Sequence, residues 1–485
     1  MRKSTLFITA LLILAQLTAC GGTTDTPDTV DTAPEETTEA EEKRLSSLPE
    51  TLNFNGAEIK ILYWLEQGEC AGEQNGEIVN DALYNRDRAV EERLGVRLTN
   101  IERSYTWDSR LAYIDSIRQS VMADDNAYDL VSGQYYTMPS LIPDGVLLPL
   151  NKTKYIDLDN PWWARGLVEE TAINGNVYLA SGEISISNIK ELSCFFYNKR
   201  LVEEYSIEDP YKLVESGEWT LDKLMKLTGD IYSDLDGDGN KSIGDLYGVT
   251  FYNDNALAPI ITGTGVKITT LNKDGYPELT YGTERMINVM DDLTSFLQSS
   301  EGSLIPSITK GVGDAPEIKG AFADGLAVFT AGLVGDAATM YNDMKDDFGV
   351  LPTPKYDAAQ DEYYTLVNEG NTLFGITAST ADPDAASAAM EALCEENYYT
   401  VSPAYFEVAL KVKYSRDDES AQMFDIIRES ASFDFGRLYG GAAGISLNVK
   451  SAVSGNSSWA TIYASKKDSA KAAIDKFIEG VKQLG

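Results

Sequence analysis

Residues 234–245, DLDGDGNKSIGD, set oxygen-bearing side chains at alternate positions. Counting Asp234 as one, Asp236 and Asp238 fall at three and five, Gly239 at six, Asn240 at seven, Ser242 at nine and Asp245 at twelve. Hard oxygen ligands at that spacing, with glycine where the chain must turn sharply, are what a Ca2+ loop of the EF-hand type requires. Asp and Gly also favour plain polar turns, but a turn does not need so many coordinated choices. The spacing predicts a structural Ca2+ held by Asp234, Asp236, Asp238, Asn240 and Asp245. Lys241 stands where such loops carry an aliphatic residue and the last ligand is Asp rather than Glu, which argues against a high-affinity sensor.

Signatures of catalysis are absent from the sequence. The chain has no histidine, which removes the commonest general base and zinc ligand together. It has no GxSxG elbow and no P-loop; Gly263-Thr264-Gly265 lacks the third glycine of a dinucleotide fingerprint, and Ser187–Lys190 fits SxxK without its companion motifs. Cys70, Cys194 and Cys394 are far apart and form no CxxC pair, so they read as buried thiols, with at most one disulfide among them. Binding chemistry is better supplied. The 27 tyrosines offer rings that stack on the C–H face of a sugar, and placed carboxylates and amides suit its hydroxyls. The expectation is a binding protein rather than an enzyme; a surface enzyme or adhesin acting on glycans is the alternative from another class.

The first residues set the compartment. Arg2 and Lys3, a short apolar run from Thr5 to Leu14 and Leu17-Thr18-Ala19 before Cys20 form a secretory signal too short to span a bilayer. A cysteine in that place resembles a bacterial lipobox, which makes Cys20 the lipidated first residue after cleavage at 1–19. Residues 20–53 then form a disordered acidic tether, since a Thr/Pro/Asp/Glu stretch cannot bury enough surface to offset its chain entropy. A formal charge of −36 repels phosphate backbones, so nucleic acid is excluded as a partner.

Elements must hold these groups in place. AEIKILYWL (57–65), VRLTNIE (96–102) and YDLVSGQ (128–134) read as strands, separated by a helix ending at Gly95 and another over 109–124. That alternation predicts a mostly parallel sheet with helical cover, whose ligands sit beyond the carboxyl ends of the strands. A second α/β region starts near CFFYNKRLVEEY (194–205) and contains a helix over 219–232 capped by Thr220. LYGVTFY follows the aspartate loop as a strand, giving a helix–loop–strand rather than a full EF-hand. Two strands flank a short helix between 325 and 356, and the remainder is mainly helical over 385–428 and 466–483. About 435 residues beyond the tether are too many for one core.

In their order and spacing, YNKRLVEEYSIEDPYKLVESGEWTLDKLMKL, DLDGDGNKSIGDLYG, FGVLPTPKYD and VSPAYFEVALKVKYSRDDESAQMFDII closely resemble the sugar-type extracellular solute-binding lipoproteins of bacterial ABC importers, in particular a cluster found in clostridia. The resemblance implies a two-lobed α/β fold with discontinuous lobes, 54–188 with 328–376 and 189–327 with 377–485, crossing near Ser187–Cys194, Ala327 and Ile376. It implies a monomer, lipid-anchored on the outer face of the cell membrane, that passes a carbohydrate, or another solute such as a peptide, to ABC permease subunits. Strand ends and crossings then nominate Trp64, Tyr135, Trp162 and Tyr439 for stacking, and Glu66, Gln134, Glu183 and Asp434 for hydroxyl recognition, with Trp163 and Trp219 as core.

Overall fold

The computed structural model describes residues 44–313, 315–406, 418–439, 449–455 and 457–484. Cys20, the signal and most of the expected tether lie outside the described residues. Alternation along Ala57–Trp64 sends Ile59, Ile61 and Tyr63 to one face of a sheet and Leu62 and Trp64 to the other. This strand pairs in parallel with Val96–Arg103 and with Leu130–Gln134, and Thr372–Ile376 closes the edge antiparallel to Leu130–Gln134. The helix Ile78–Leu94 covers the Ile59 face through Val90 and Leu94. It stops at Gly95, whose φ of +60° places a left-handed residue where a Cβ would meet Asn53 at 2.6 Å. The helix Arg110–Ala123 covers the Leu62 face with Tyr113, Ile114 and Ile117.

A second sheet runs in the order Phe348–Leu351, Ser193–Asn198, Ala327–Leu333, Leu246–Thr250 and Tyr232–Ser233, with Ser303–Leu304 beside Leu246–Thr250. SCFFYN is buried along its whole length, as expected of a strand covered on both faces. The helix Leu221–Thr228 is shorter than the expected 219–232, because Tyr232–Ser233 pairs with Leu246–Tyr247 instead of continuing the coil. Thr220 accepts the Lys223 N–H as its N-cap.

Pairing divides the chain differently from the expected lobe boundaries. Ala327–Leu333 and Phe348–Leu351 lie on either side of Ser193–Asn198, so most of 328–351 belongs to the second sheet and only the end of that segment, Thr372–Ile376, returns to the first. The helix Pro383–Glu396 shares a core with Ile59, Val90 and Phe374, which places it on the first sheet although 377–485 was expected with the second. An alanine-rich apolar face suits either sheet, so local pattern does not choose between them. Beside the sheets, Thr365–Leu366 pairs with Ala431–Ser432 and Leu192 bridges Val367, so three separated stretches of chain run side by side where the sheets meet. Cys70, Cys194 and Cys394 are all free thiols. Among the described residues no helix is long and apolar enough to cross a membrane.

Candidate solute site

The carboxyl ends of the parallel strands converge on a polar and aromatic lip. Glu66, two residues past Trp64, accepts the Ser104 hydroxyl at 2.5 Å and the Tyr105 N–H at 2.9 Å. Partial burial works against its charge, but these donors prevail and hold the carboxyl below its usual range. Beyond Val96–Arg103 the chain exposes Trp107, with 54% of its surface open to solvent. Its ring lies 6.1 Å from that of Tyr136, beyond Leu130–Gln134, and the Arg110 guanidinium sits 3.7 Å over its centroid. A rigid indole that water can reach, beside a second ring and a cation, is a stacking platform.

The second sheet presents its own polar groups. Tyr252, just past Leu246–Thr250, has Lys319 Nζ 4.6 Å from its ring, and Lys319 pairs with Asp336 at 2.8 Å. Where the sheets meet, Glu191 accepts Asn368 Nδ2 at 2.8 Å and Arg437 reaches Glu369 at 3.1 Å. Gly370 packs closely on this carboxylate: a Cβ there would lie 2.4 Å from the Glu191 carboxyl carbon, so any larger residue would push the Glu191 side chain aside. Burial pushes the Tyr252 hydroxyl up, with Asp336, Glu191 and Glu369 adding to it and Arg437 opposing. Burial raises Tyr136 too, with Glu369 adding and Arg110 and Arg437 opposing. Tyrosines from both sheets therefore share the field of Glu369 and Arg437. A cavity of about 340 Å³ is lined by Gln67, Cys70 and Asn80 from the first sheet's side, by Ile186 and Lys190 at the junction and by Ala338 beyond the second sheet.

The nominated residues separate sharply. Glu66 lies on the lip, and Gln134 is half-buried at its strand end opposite Thr372. Trp64 is buried against Tyr105, ring centroids 5.2 Å apart. Tyr135 and Trp162 are fully enclosed and are core residues rather than stacking platforms. Trp162 and Trp163 give their indole N–H groups to the two oxygens of Glu391, at 3.1 and 2.9 Å. Glu183 is buried and paired with Arg428 at 2.7 Å. Asp434 caps Phe435–Leu438 and also receives Ile268 N, Thr269 N and Thr269 Oγ1, so its carboxylate is consumed internally. Tyr439 packs on Phe477 at 4.5 Å. Trp107, Arg110, Tyr136, Tyr252, Glu369 and Arg437 were not nominated. The signal for Trp107 is local: a tryptophan in SYTWDSR, just past a strand, has polar neighbours on both sides.

In the aspartate loop, Asp234, Asp236 and Asp245 bring carboxylate oxygens within 4.8 Å of one another. Asp238 lies outside this trio; its Oδ1 takes the Asn240 N–H at 2.6 Å and Asn240 Nδ2 returns to the Asp238 carbonyl. The N–H groups of Gly239 and Gly237 hold Asp234 below the usual carboxylate range. Asp245, fully buried, fixes both ends of the loop through Leu235 N and Ser242 N. Lys241 spans from the loop to the carbonyls of Ser300 and Glu301, which accounts for a lysine at that position. The three hard oxygens fit a Ca2+ ion.

No protein-family model and no curated protein matches the sequence. Solved structures match its fold. The galacto-N-biose/lacto-N-biose I-binding protein of an ABC transporter from Bifidobacterium longum, solved with lacto-N-biose, is 13% identical with a TM-score of 0.59, over 87% of this chain and 98% of that one. The cyclic alpha-maltosyl-1,6-maltose binding protein from Arthrobacter globiformis is 14% identical with a TM-score of 0.57, over 87% and 99%. An ABC substrate-binding protein from Listeria monocytogenes, in complex with cycloalternan, is 14% identical with a TM-score of 0.53, over 87% and 98%. The chain has the two-lobed α/β fold of the periplasmic-binding-protein type that these solute-binding proteins share.

Proposed function

We propose that this chain is an extracytoplasmic receptor that captures a carbohydrate between its two lobes and delivers it to an ABC permease. The observation that carries this reading is the exposed Trp107 beside Tyr136 at the strand ends, with paired charges and Tyr252 beyond it. A ring platform rimmed by hydrogen-bonding groups is the complement of a sugar, whose two faces differ in polarity. The neighbours in fold are named for oligosaccharides, which supports the same assignment. Titration calorimetry against a saccharide panel and a peptide panel tests it. One-to-one binding of a saccharide, recovered intact, is the expected result; binding of peptides alone overturns the carbohydrate assignment.

In this proposal Cys20 carries the lipid that holds the receptor at the membrane. Cys20→Ala then leaves the protein soluble or unprocessed without loss of fold, and a processed variant retained by membranes as fully as wild type rules out the anchor. Ca2+ serves as a brace rather than as part of the solute site. Asp234, Asp236 and Asp245 would hold it, closing the turn between the helix Leu221–Thr228 and the strand Leu246–Thr250.

A further inference from the structure

Trp107 is held in place largely by one neighbour. It sits in the turn that joins Val96–Arg103 to the helix Arg110–Ala123, and side chains stitch that turn together: Thr106 N donates to Ser109 Oγ at 2.8 Å and Ser109 N to Thr106 Oγ1 at 3.3 Å. Arg110 then reaches back three residues. Its Nη1 donates to the Trp107 carbonyl, and its guanidinium carbon lies 3.7 Å from the Trp107 ring centroid, in stacking contact with the indole. A single side chain therefore holds both the backbone and the ring of Trp107. Arg110 gains little else from its position. Among the described residues it has no ion-pair partner, and it is the first residue of its helix, the end whose unpaired N–H groups disfavour a cation. A residue that works against its own element is a mark of function elsewhere.

The stack also decides which face of the indole is left open. A flat ring with one face covered keeps the other face and its rim, and Trp107 shows 54% of its surface to water. The Tyr136 ring, 6.1 Å away, is inclined at 44° rather than stacked, so it does not seal the second face. We propose that Arg110 is a positioning residue for the solute: it fixes the Trp107 indole before binding, so that one face alone is offered to the C–H face of a sugar ring. This rests on the carbohydrate reading and adds that the platform is preformed and one-sided. A mobile surface indole would lose rotamer freedom when a sugar stacks on it, which weakens binding; an indole already held loses little. Arg110 need not touch the solute to have this effect.

The test begins with tryptophan emission of the full chain, without solute. The other five tryptophans are buried, so quenching by neutral acrylamide reads Trp107, and Trp107→Phe identifies its share. Arg110→Gln removes the cation and the planar stack, Arg110→Lys keeps the cation alone, and melting temperatures establish that each is folded. Quenching is expected to rise in Arg110→Gln, as the covered face opens, and to lie between the two in Arg110→Lys. Quenching in folded Arg110→Gln no greater than in wild type overturns the positioning role, whatever the solute. Calorimetry with neutral di- to tetrasaccharides, lacto-N-biose and maltotetraose among them, then reads the effect on binding. The expected loss in Arg110→Gln is on the order of 3- to 10-fold, the range for ordering one side chain, with a less favourable binding entropy and partial recovery in Arg110→Lys. If a saccharide binds wild type and Arg110→Gln binds it as tightly or more tightly, the proposal is overturned while the carbohydrate reading stands. If no saccharide binds wild type, the carbohydrate reading falls and the solute role of Arg110 falls with it.

Discussion

Trp107 and Tyr136 lie in the connections that follow Val96–Arg103 and Leu130–Gln134, the two strands that flank Ala57–Trp64, and their rings stand 6.1 Å apart at an angle of 44°. Neither connection would expose an aromatic ring for the sake of the core, since Tyr105 and Tyr135, one or two positions earlier, already fill it. Trp107→Ala should therefore weaken saccharide binding by about 1–3 kcal/mol while leaving the melting temperature nearly unchanged. Trp162→Ala should do the reverse. Equal affinity of Trp107→Ala and wild type for the bound saccharide would remove Trp107 from the site.

Glu391 gathers five donors from two stretches of the chain: both indoles, Asn160 Nδ2 at 2.8 Å and Asp157 N at 3.3 Å from 157–163, and Ser47 Oγ at 2.8 Å. Truncation to alanine leaves two buried indole N–H groups without an acceptor. A destabilisation of about 2–4 kcal/mol follows from the cost of unpaired buried polar groups. Urea unfolding measures it, and an unchanged midpoint in Glu391→Ala would contradict the assignment of these tryptophans to the core.

Glu69 is buried to 1% exposure, with Ser185 as a side-chain donor. Burial pushes its carboxyl above the ordinary value of 4.5, against the smaller opposing effects of Ser185, Thr372, Lys190 and Arg86. Between that value and the raised one, the folded chain holds a proton that the unfolded chain has lost. Stability from this group is thus greatest below the ordinary value, falls as pH rises through the window and levels off above it. Glu69→Gln should remove that slope, so the variant gains on wild type as pH rises and the two converge in acid. Melting temperatures from pH 4 to 8 decide; parallel profiles would mean that Glu69 does not titrate differently on folding.

Calcium should brace the lobe that carries the aspartate loop. At about 1 mM free ion and dissociation constants of about 10⁻⁴–10⁻³ M, linkage gives about 0.4–1.4 kcal/mol, a small rise in melting temperature that chelation reverses. Asp236→Asn should abolish the rise. Asp238→Asn should only weaken it, because Asp238 lies outside the converging trio. Saccharide affinity should not respond to chelation. Calorimetry without heat at millimolar Ca2+ would reduce the loop to a polar turn.

Much of this molecule is written locally. Alternation in AEIKILYW sorts its side chains to two faces whatever follows, and Thr220 caps its helix through a residue three positions away. The aspartate spacing likewise brings Asp234, Asp236 and Asp245 together through the turn's own backbone. Two-lobed architecture was legible for the same reason, since strand–helix alternation and length restrict how sheets are built. The choice of binding residues was not. Trp107 and Trp162 are the same side chain beside predicted strands or turns, but Trp162 is enclosed by an acceptor 229 positions away while Trp107 meets solvent and Arg110. Asp434 and Glu369 are both acids near a junction, and only packing gives the first four internal donors and pairs the second with Arg437. Burial and hydrogen-bond satisfaction depend on distant chain brought near by the fold, so tertiary structure alone decides which polar and aromatic groups remain for a ligand.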